Sequence, residues 1–337
     1  MTKIRLRGLK LLEGGAQVLS SGPGVSKNLL SADICTPLAL NKINLTFLAH
    51  LSPHKSASCV TSLCTEGSAG RAAASLIGNL HSGDVGVYLH EDVSTLSIFV
   101  HDQRPQVAGS LLNALAREEI ELLGLASSPS ALSSVVSSAD TEVTIGAVFD
   151  VFEFPAYGSP SDWYAAYEGK EHLLRKIIAS YQEQVIKIYD IVQEPNLDLW
   201  SLDLSNPELG ELGEALSSLD RLGIRMPFVV AVPAPDEADL RFGFCFASQQ
   251  AKELKHTFSR HFVPKNLAHE PEVAALFIHG PHFGDRYGIA SKFVEGLQRA
   301  GVAILAMSCT VSSISAIIGK LDLDPAIRTL DMIFQRY

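Results

Sequence analysis

The side chains best suited to binding a metal fall within fifteen positions of one another: His50 and His54, then Cys59 and Cys64. Imidazole nitrogen and thiolate sulfur are the donors that zinc favours. Cys59 and Cys64 are an odd number of positions apart, however, so on one strand they would face opposite sides. That spacing predicts buried thiols and surface histidines, with no metal site. His279 and His282 bracket Gly280 and Pro281 and read as a solvated turn. Asp322 and Asp324 stand just before Pro325, where a helix would begin. They suit a cap better than a pair of catalytic carboxylates. The serine-rich segments at 127–130 and 133–138 suit a hairpin and contain no G-x-S-x-G nucleophile motif. The loop at Gly22 and Pro23 lacks the Lys-Ser/Thr of a phosphate-binding loop. The expectation is no catalytic residue, no metal and no cofactor.

Composition narrows the class. The chain has 337 residues, 47% of them hydrophobic and 19% charged, which supports more than one packed core and excludes a largely disordered chain. A net charge of −10 with no basic patch argues against a nucleic-acid partner. No apolar run approaches the roughly 18 residues of a membrane helix. The first residues carry charges with no apolar stretch behind them, unlike a secretory signal. Five scattered cysteines read as free thiols in a reducing compartment, so a cytoplasmic location is expected.

The elements that must hold these residues recur along the chain. Four times an amphipathic helix ends in a short turn and re-emerges as a strand, with a branched residue at Ile43, Ile120, Ile224 and Val302. The steps make two pairs offset by about 181 positions, which points to a duplicated module. At the same offset, 3–19 falls on 185–201, each read as strand, turn and strand. Each unit reads β-α-β-β-α-β, the ferredoxin-like split βαβ order. The expected division is 1–92, 93–155, 185–265 and 266–337, with 156–184 as a linker helix. That helix has an apolar face of Trp163, Tyr164, Tyr167, Leu174 and Ile178.

With strand order placed, the units resemble ACT domains, as in the regulatory half of aspartate kinases. The stretch 284–305 is similar to the family's Gly-containing loop, its G-I-small-x-x-F-x-x-x-L helix (Gly288, Ile289, Phe293, Leu297) and its A-G-V-x-I strand (Ala300, Gly301, Val302, Ile304). The segment 307–318 resembles the two strands that follow, and 29–40 with Lys42 to Leu45 is similar in the first unit. The resemblance implies an α+β fold of four ACT-like units in two side-by-side pairs.

It also implies an amino-acid site. A loop leading into a helix N-terminus offers N–H groups to a carboxylate, and the start of the second strand faces it. In the first unit these are Asn28, Leu29 and Leu30, with Asn44, Leu45 and Thr46 opposite. In the fourth they are Tyr287, Gly288 and Ile289, with Val302, Ala303 and Ile304 opposite, flanked by Asp285 and Arg286. Glu121 and Arg225, at the corresponding places of the other units, read as structural. The implied function is a non-catalytic regulatory protein that binds a small amino acid and forms a homo-oligomer. A metabolic enzyme is its implied partner; nucleic acid and membrane are not. An enzyme with its site between the ACT-like pairs and a ligand-free scaffold are the alternatives.

Overall fold

The computed structural model describes residues 3–23, 30, 34–52, 58–80, 85–100, 102–167, 186–234, 239–263, 267–280, 283 and 286–337. Twelve principal strands are formed. In the first half they are β1 (Gly8–Pro23), β2 (Phe47–Leu51), β3 (Ser58–Glu66), β4 (Gly86–Phe99), β5 (Gly124–Ser127) and β6 (Ala131–Ser137). In the second they are β7 (Asp190–Ser205), β8 (Phe228–Pro233), β9 (Asp239–Ala247), β10 (Leu267–His279), β11 (Ile304–Cys309) and β12 (Ser313–Gly319). The helices of the first half are α1 (Thr36–Leu40), α2 (Gly67–Leu80), α3 (Pro105–Arg117) and α4 (Thr141–Val151). Those of the second are α5 (Leu209–Arg221), α6 (Ala251–His261), α7 (Ile289–Arg299) and α8 (Leu323–Ile333).

The segments expected to be strand, turn and strand are single long strands. Around Glu13 and Glu194 the chain bulges instead of reversing, with register shifts between Leu12 and Gly15 and between Glu194 and Leu197. The bulged residues Gly14 and Asn196 take left-handed φ of 65° and 63°. Glycine adopts that conformation freely and asparagine with little strain, which explains both residue types. A bulge bends and twists its strand, so β1, β4, β7 and β10 each cross from one sheet to another. Residues 15–23 of β1 pair with β3, while 8–12 pair only with 95–99 of β4.

Each unit therefore completes its sheet with a strand it shares. The first unit runs 86–91, 15–23, β3, β2, and the second 8–12, 93–99, β6, β5, both in ferredoxin-like order. The third and fourth repeat this with β7 to β12. The units stand side by side in two pairs. β2 joins β11, pairing the first unit with the fourth, and β5 joins β8, pairing the second with the third. Strand neighbours then close into one twelve-stranded barrel.

Three cores follow from the two-residue side-chain period of these strands. One lies between α3 to α6 and the outer face of the second and third units. A second lies beneath α1, α2, α7 and α8 on the first and fourth units. The third fills the barrel with Phe47, Leu51, Val135, Leu199, Phe228, Phe277 and Ile317. Helix Pro160–Tyr167 packs back on the first half. Its Trp163 is buried and donates from Nε1 to the Leu9 carbonyl, and Tyr167 donates to that of Leu11. The rest of the expected linker helix, 168–184, lies outside the described residues. No helix among those described is long and apolar enough to cross a membrane.

Candidate functional site

The side-by-side pairing makes a cleft where the fourth unit's first helix meets the first unit. Gly288, at φ 87°, precedes Ile289 at the start of α7. The opening N–H groups of this eleven-residue helix have no partner within the helix, and its dipole favours negative charge there. Arg286 and Tyr287 lie beside them. Leu38, Ile43 and Leu45 of the first unit form an apolar wall, and Cys309, Thr310 and Ile314 close the far side of a narrow cleft, about 410 Å³ with its open mouth counted. α1 is held to α7 through Glu295, whose Oε1 accepts from Thr36 Oγ1 at 2.8 Å and Ser291 Oγ at 3.0 Å.

Burial pushes the Cys35 thiol up to about 12, helped by the Glu295 carboxylate, and pushes that of Cys309 well up too. Neither is a thiolate nucleophile at neutral pH. Thr310 Oγ1, in contrast, is a buried hydroxyl oxygen with no hydrogen-bond partner among the described residues. A cation, helix-start N–H groups, an unused hydroxyl and an apolar wall suit a small molecule with a carboxylate and an apolar body.

The same cleft recurs between the second and third units, lined by Arg104, Val107, Ser128, Leu132 and Met226, with about 320 Å³ when its open mouth is counted. Here the protein satisfies its own polar groups. The Met226 N–H donates to the Gln103 carbonyl at 2.9 Å, and Arg225 donates to the Gln103 side chain at 2.5 Å. Arg104 donates twice to Asp220. Ser128, at the position of Thr310, accepts from the Ala131 N–H at 3.1 Å.

The residues expected to bind fall in several places. Leu45, Tyr287, Gly288 and Ile289 line the first cleft together. Ala303 and Ile304, expected opposite Tyr287, do not line it, because the strand start that faces α7 comes from the first unit. Leu30 is buried in the core of the first and fourth units and does not line that cleft. Asn44 and Thr46 are half-buried, and the Thr46 N–H donates to the Cys64 carbonyl. Asn28, Leu29 and Asp285 lie outside the described residues. Cys35, Ser291 and Thr310 were missed, since nothing local in the sequence marks a residue that a neighbouring unit will cover.

Of the four metal donors considered, His54 lies outside the described residues. His50 is buried, with Nδ1 2.8 Å from Thr61 Oγ1, and burial alone lowers its pKa to about 4. Among the described residues no group of three His, Cys, Asp or Glu could hold a metal. A further polar group was not legible in the sequence. The buried Asp198 accepts from Ser248 Oγ at 2.6 Å and sits 2.8 Å from His269 Nε2. The serine bonds to the carboxylate and not to the imidazole, so the group does not have the serine–histidine contact of a catalytic triad.

Residues 268–331 match the family profile of the ACT domain. No curated protein matches the chain by sequence. Among solved structures, aspartate kinase from Synechocystis matches with a TM-score of 0.78 at 12% identity, over 98% of this chain and 56% of its own. The chain thus spans about half the length of that kinase. The regulatory subunit of aspartate kinase from Thermus thermophilus, in ligand-free form, covers 44% of this chain and 99% of its own, at 15% identity and TM-score 0.38. The subunit from Thermus flavus does so at 18% identity and 0.40. The expectation of a non-catalytic regulator, and of no enzyme, is corrected by the first of these: nearly the whole chain shares its fold with 56% of the chain of an aspartate kinase. Residues 268–331 thus match the ACT-domain profile, within a chain of split βαβ units whose fold is shared with part of an aspartate kinase.

Proposed function

We propose that this chain serves in an aspartate-kinase-like phosphotransferase, and that the cleft between its first and fourth units takes up a small amino acid. The observation that carries the reading is the cleft itself. It combines Arg286, the start of α7 and the unpartnered Thr310 hydroxyl within a fold shared over 98% of the chain with an aspartate kinase. A carboxylate would lie at the helix start, and the apolar side chain against Leu38, Ile43 and Leu45. Two copies of the chain are the expected assembly, since residues 86–91 and 190–194 pair on one side only among the described residues.

The test is made on the full-length protein. ATP-dependent formation of an acyl phosphate on L-aspartate is followed by hydroxylamine trapping while each of the twenty amino acids is added. Expected are turnover above background and at least one amino acid that both alters it and raises the melting temperature. A ligand at 100 times its Kd adds about 2.7 kcal/mol. No acyl phosphate and no thermal shift with any amino acid would overturn the reading.

A further inference from the structure

A second cleft, larger and sharing no residue with the first, opens where the first unit's sheet meets the second and third units. Its enclosed space is about 780 Å³, the open mouth included. Gln17 and Tyr88 stand on the inner face of β1 and β4, and Glu121, Asn206 and Asp239 form the facing wall. Gln17 is fully buried. Its Nε2 donates to the Leu123 carbonyl at 2.7 Å and to Ser62 Oγ at 2.8 Å, which fixes the amide orientation. Its Oε1 is buried and has no partner among the described residues.

The fold does not require this amide. In the second half the same position is Leu199, which pairs with Cys245 as Gln17 pairs with Cys64. There the cross-strand positions of Ser21 and Val60 are taken by Asp203 and Arg241, joined by an ion pair at 2.8 Å. The first half keeps a buried acceptor and leaves out the ion pair. An acceptor buried without a donor is unfavourable unless something supplies one. The cleft has two carboxylates, Glu121 and Asp239, one imidazole, that of His90 across the strand pair from Gln17, and no lysine or arginine. Among the described residues neither carboxylate is in an ion pair. The Tyr88 ring, half exposed, adds an aromatic face of the kind that attracts an ammonium group.

We infer that this cleft binds a small aliphatic amine in its protonated form, whose ammonium donates to Gln17 Oε1 and is balanced by Glu121 and Asp239. The inference does not depend on the amino-acid reading of the other cleft. Calorimetric titration of the full chain with 1,4-diaminobutane tests it, with 1-butanol as the uncharged control. Expected is saturable binding of the diamine, with Kd of about 1 mM or tighter, and none of the alcohol. Gln17→Leu, the residue the second half already carries there, should weaken binding about tenfold or more, as for a lost hydrogen bond to a charged group. Glu121→Gln, at an exposed position that does not risk the fold, should also weaken it. Undiminished affinity in both variants would assign the heat to general attraction by the acidic chain and overturn the inference. So would equal binding of 1-butanol, or no binding of the diamine to the unaltered protein.

Discussion

Ser130 and Ser312 are 182 positions apart, and their hydroxyl oxygens lie 3.2 Å from each other. Each stands at the turn before the third strand of its unit, Ser130 before β6 and Ser312 before β12. Equivalent residues of the two halves therefore meet across an axis that relates β1 to β6 with β7 to β12. The left-handed residues obey the same relation, Gly14 with Asn196 and Asp92 with Glu272. The two clefts between paired units are related in the same way, and their differences become informative because the backbone is shared.

The bulge at Asn196 needs a left-handed residue. Asn196→Gly should change stability by less than about 0.5 kcal/mol, whereas Asn196→Val should cost about 1–2 kcal/mol. Urea denaturation at constant m-value checks both. Equal stability of the two variants would show that the bulge is not under conformational control.

Thr310 and Ser128 occupy the same position and should respond in opposite directions. Thr310→Val replaces an unpartnered buried hydroxyl with a methyl group and should leave stability unchanged or up to about 1 kcal/mol higher. Ser128→Ala breaks a made bond and should cost about 1 kcal/mol. The concentration of amino acid giving half its effect should rise in Thr310→Val alone. Thermal melts and titrations on both variants decide this.

Two glycines lie where α3 crosses α5. A Cβ at Gly109 would come within 2.7 Å of the Gly213 carbonyl oxygen. Gly109→Ala should therefore cost about 1–3 kcal/mol by overpacking, against the roughly 1 kcal/mol that alanine gains in an open helix. Gly146 in α4 has nothing within 4 Å of such a Cβ, so Gly146→Ala should stabilise. Melting temperatures moving the same way in both would contradict the helix packing.

His50 makes stability depend on pH. Its folded pKa of about 4 is below the usual 6.5, so the unfolded chain binds more protons between those values. Its contribution is fully present above pH 6.5 and is lost as pH falls toward 4, by an amount on the order of 3 kcal/mol. His50→Gln removes this dependence while keeping a group that can bond Thr61. Denaturation from pH 7 to 4 should give a shallower slope for the variant, and identical slopes would place the titration elsewhere.

Much of this was determined by sequence alone. A 3.6-residue apolar period marked the helices and a two-residue period the strands, and both are local properties of the chain. The recurrence near 181 positions followed from Ile43, Ile120, Ile224 and Val302 without any structure. The tertiary structure decided what those units do to one another. Glu13-Gly14-Gly15 looks like a hairpin turn because a bulge and a turn use the same residue types. Only a second sheet able to receive residues 8–12 makes it a crossing strand. Leu45 belongs opposite Tyr287, and Ala303 does not, because β2 and β11 pair edge to edge. Hydrogen bonding between two strand edges is set by which units meet, a contact 255 to 261 positions apart in sequence that no local pattern encodes. Gln17 shows the same division: its alternation marked a strand, and only the assembled cleft revealed a buried oxygen with no donor.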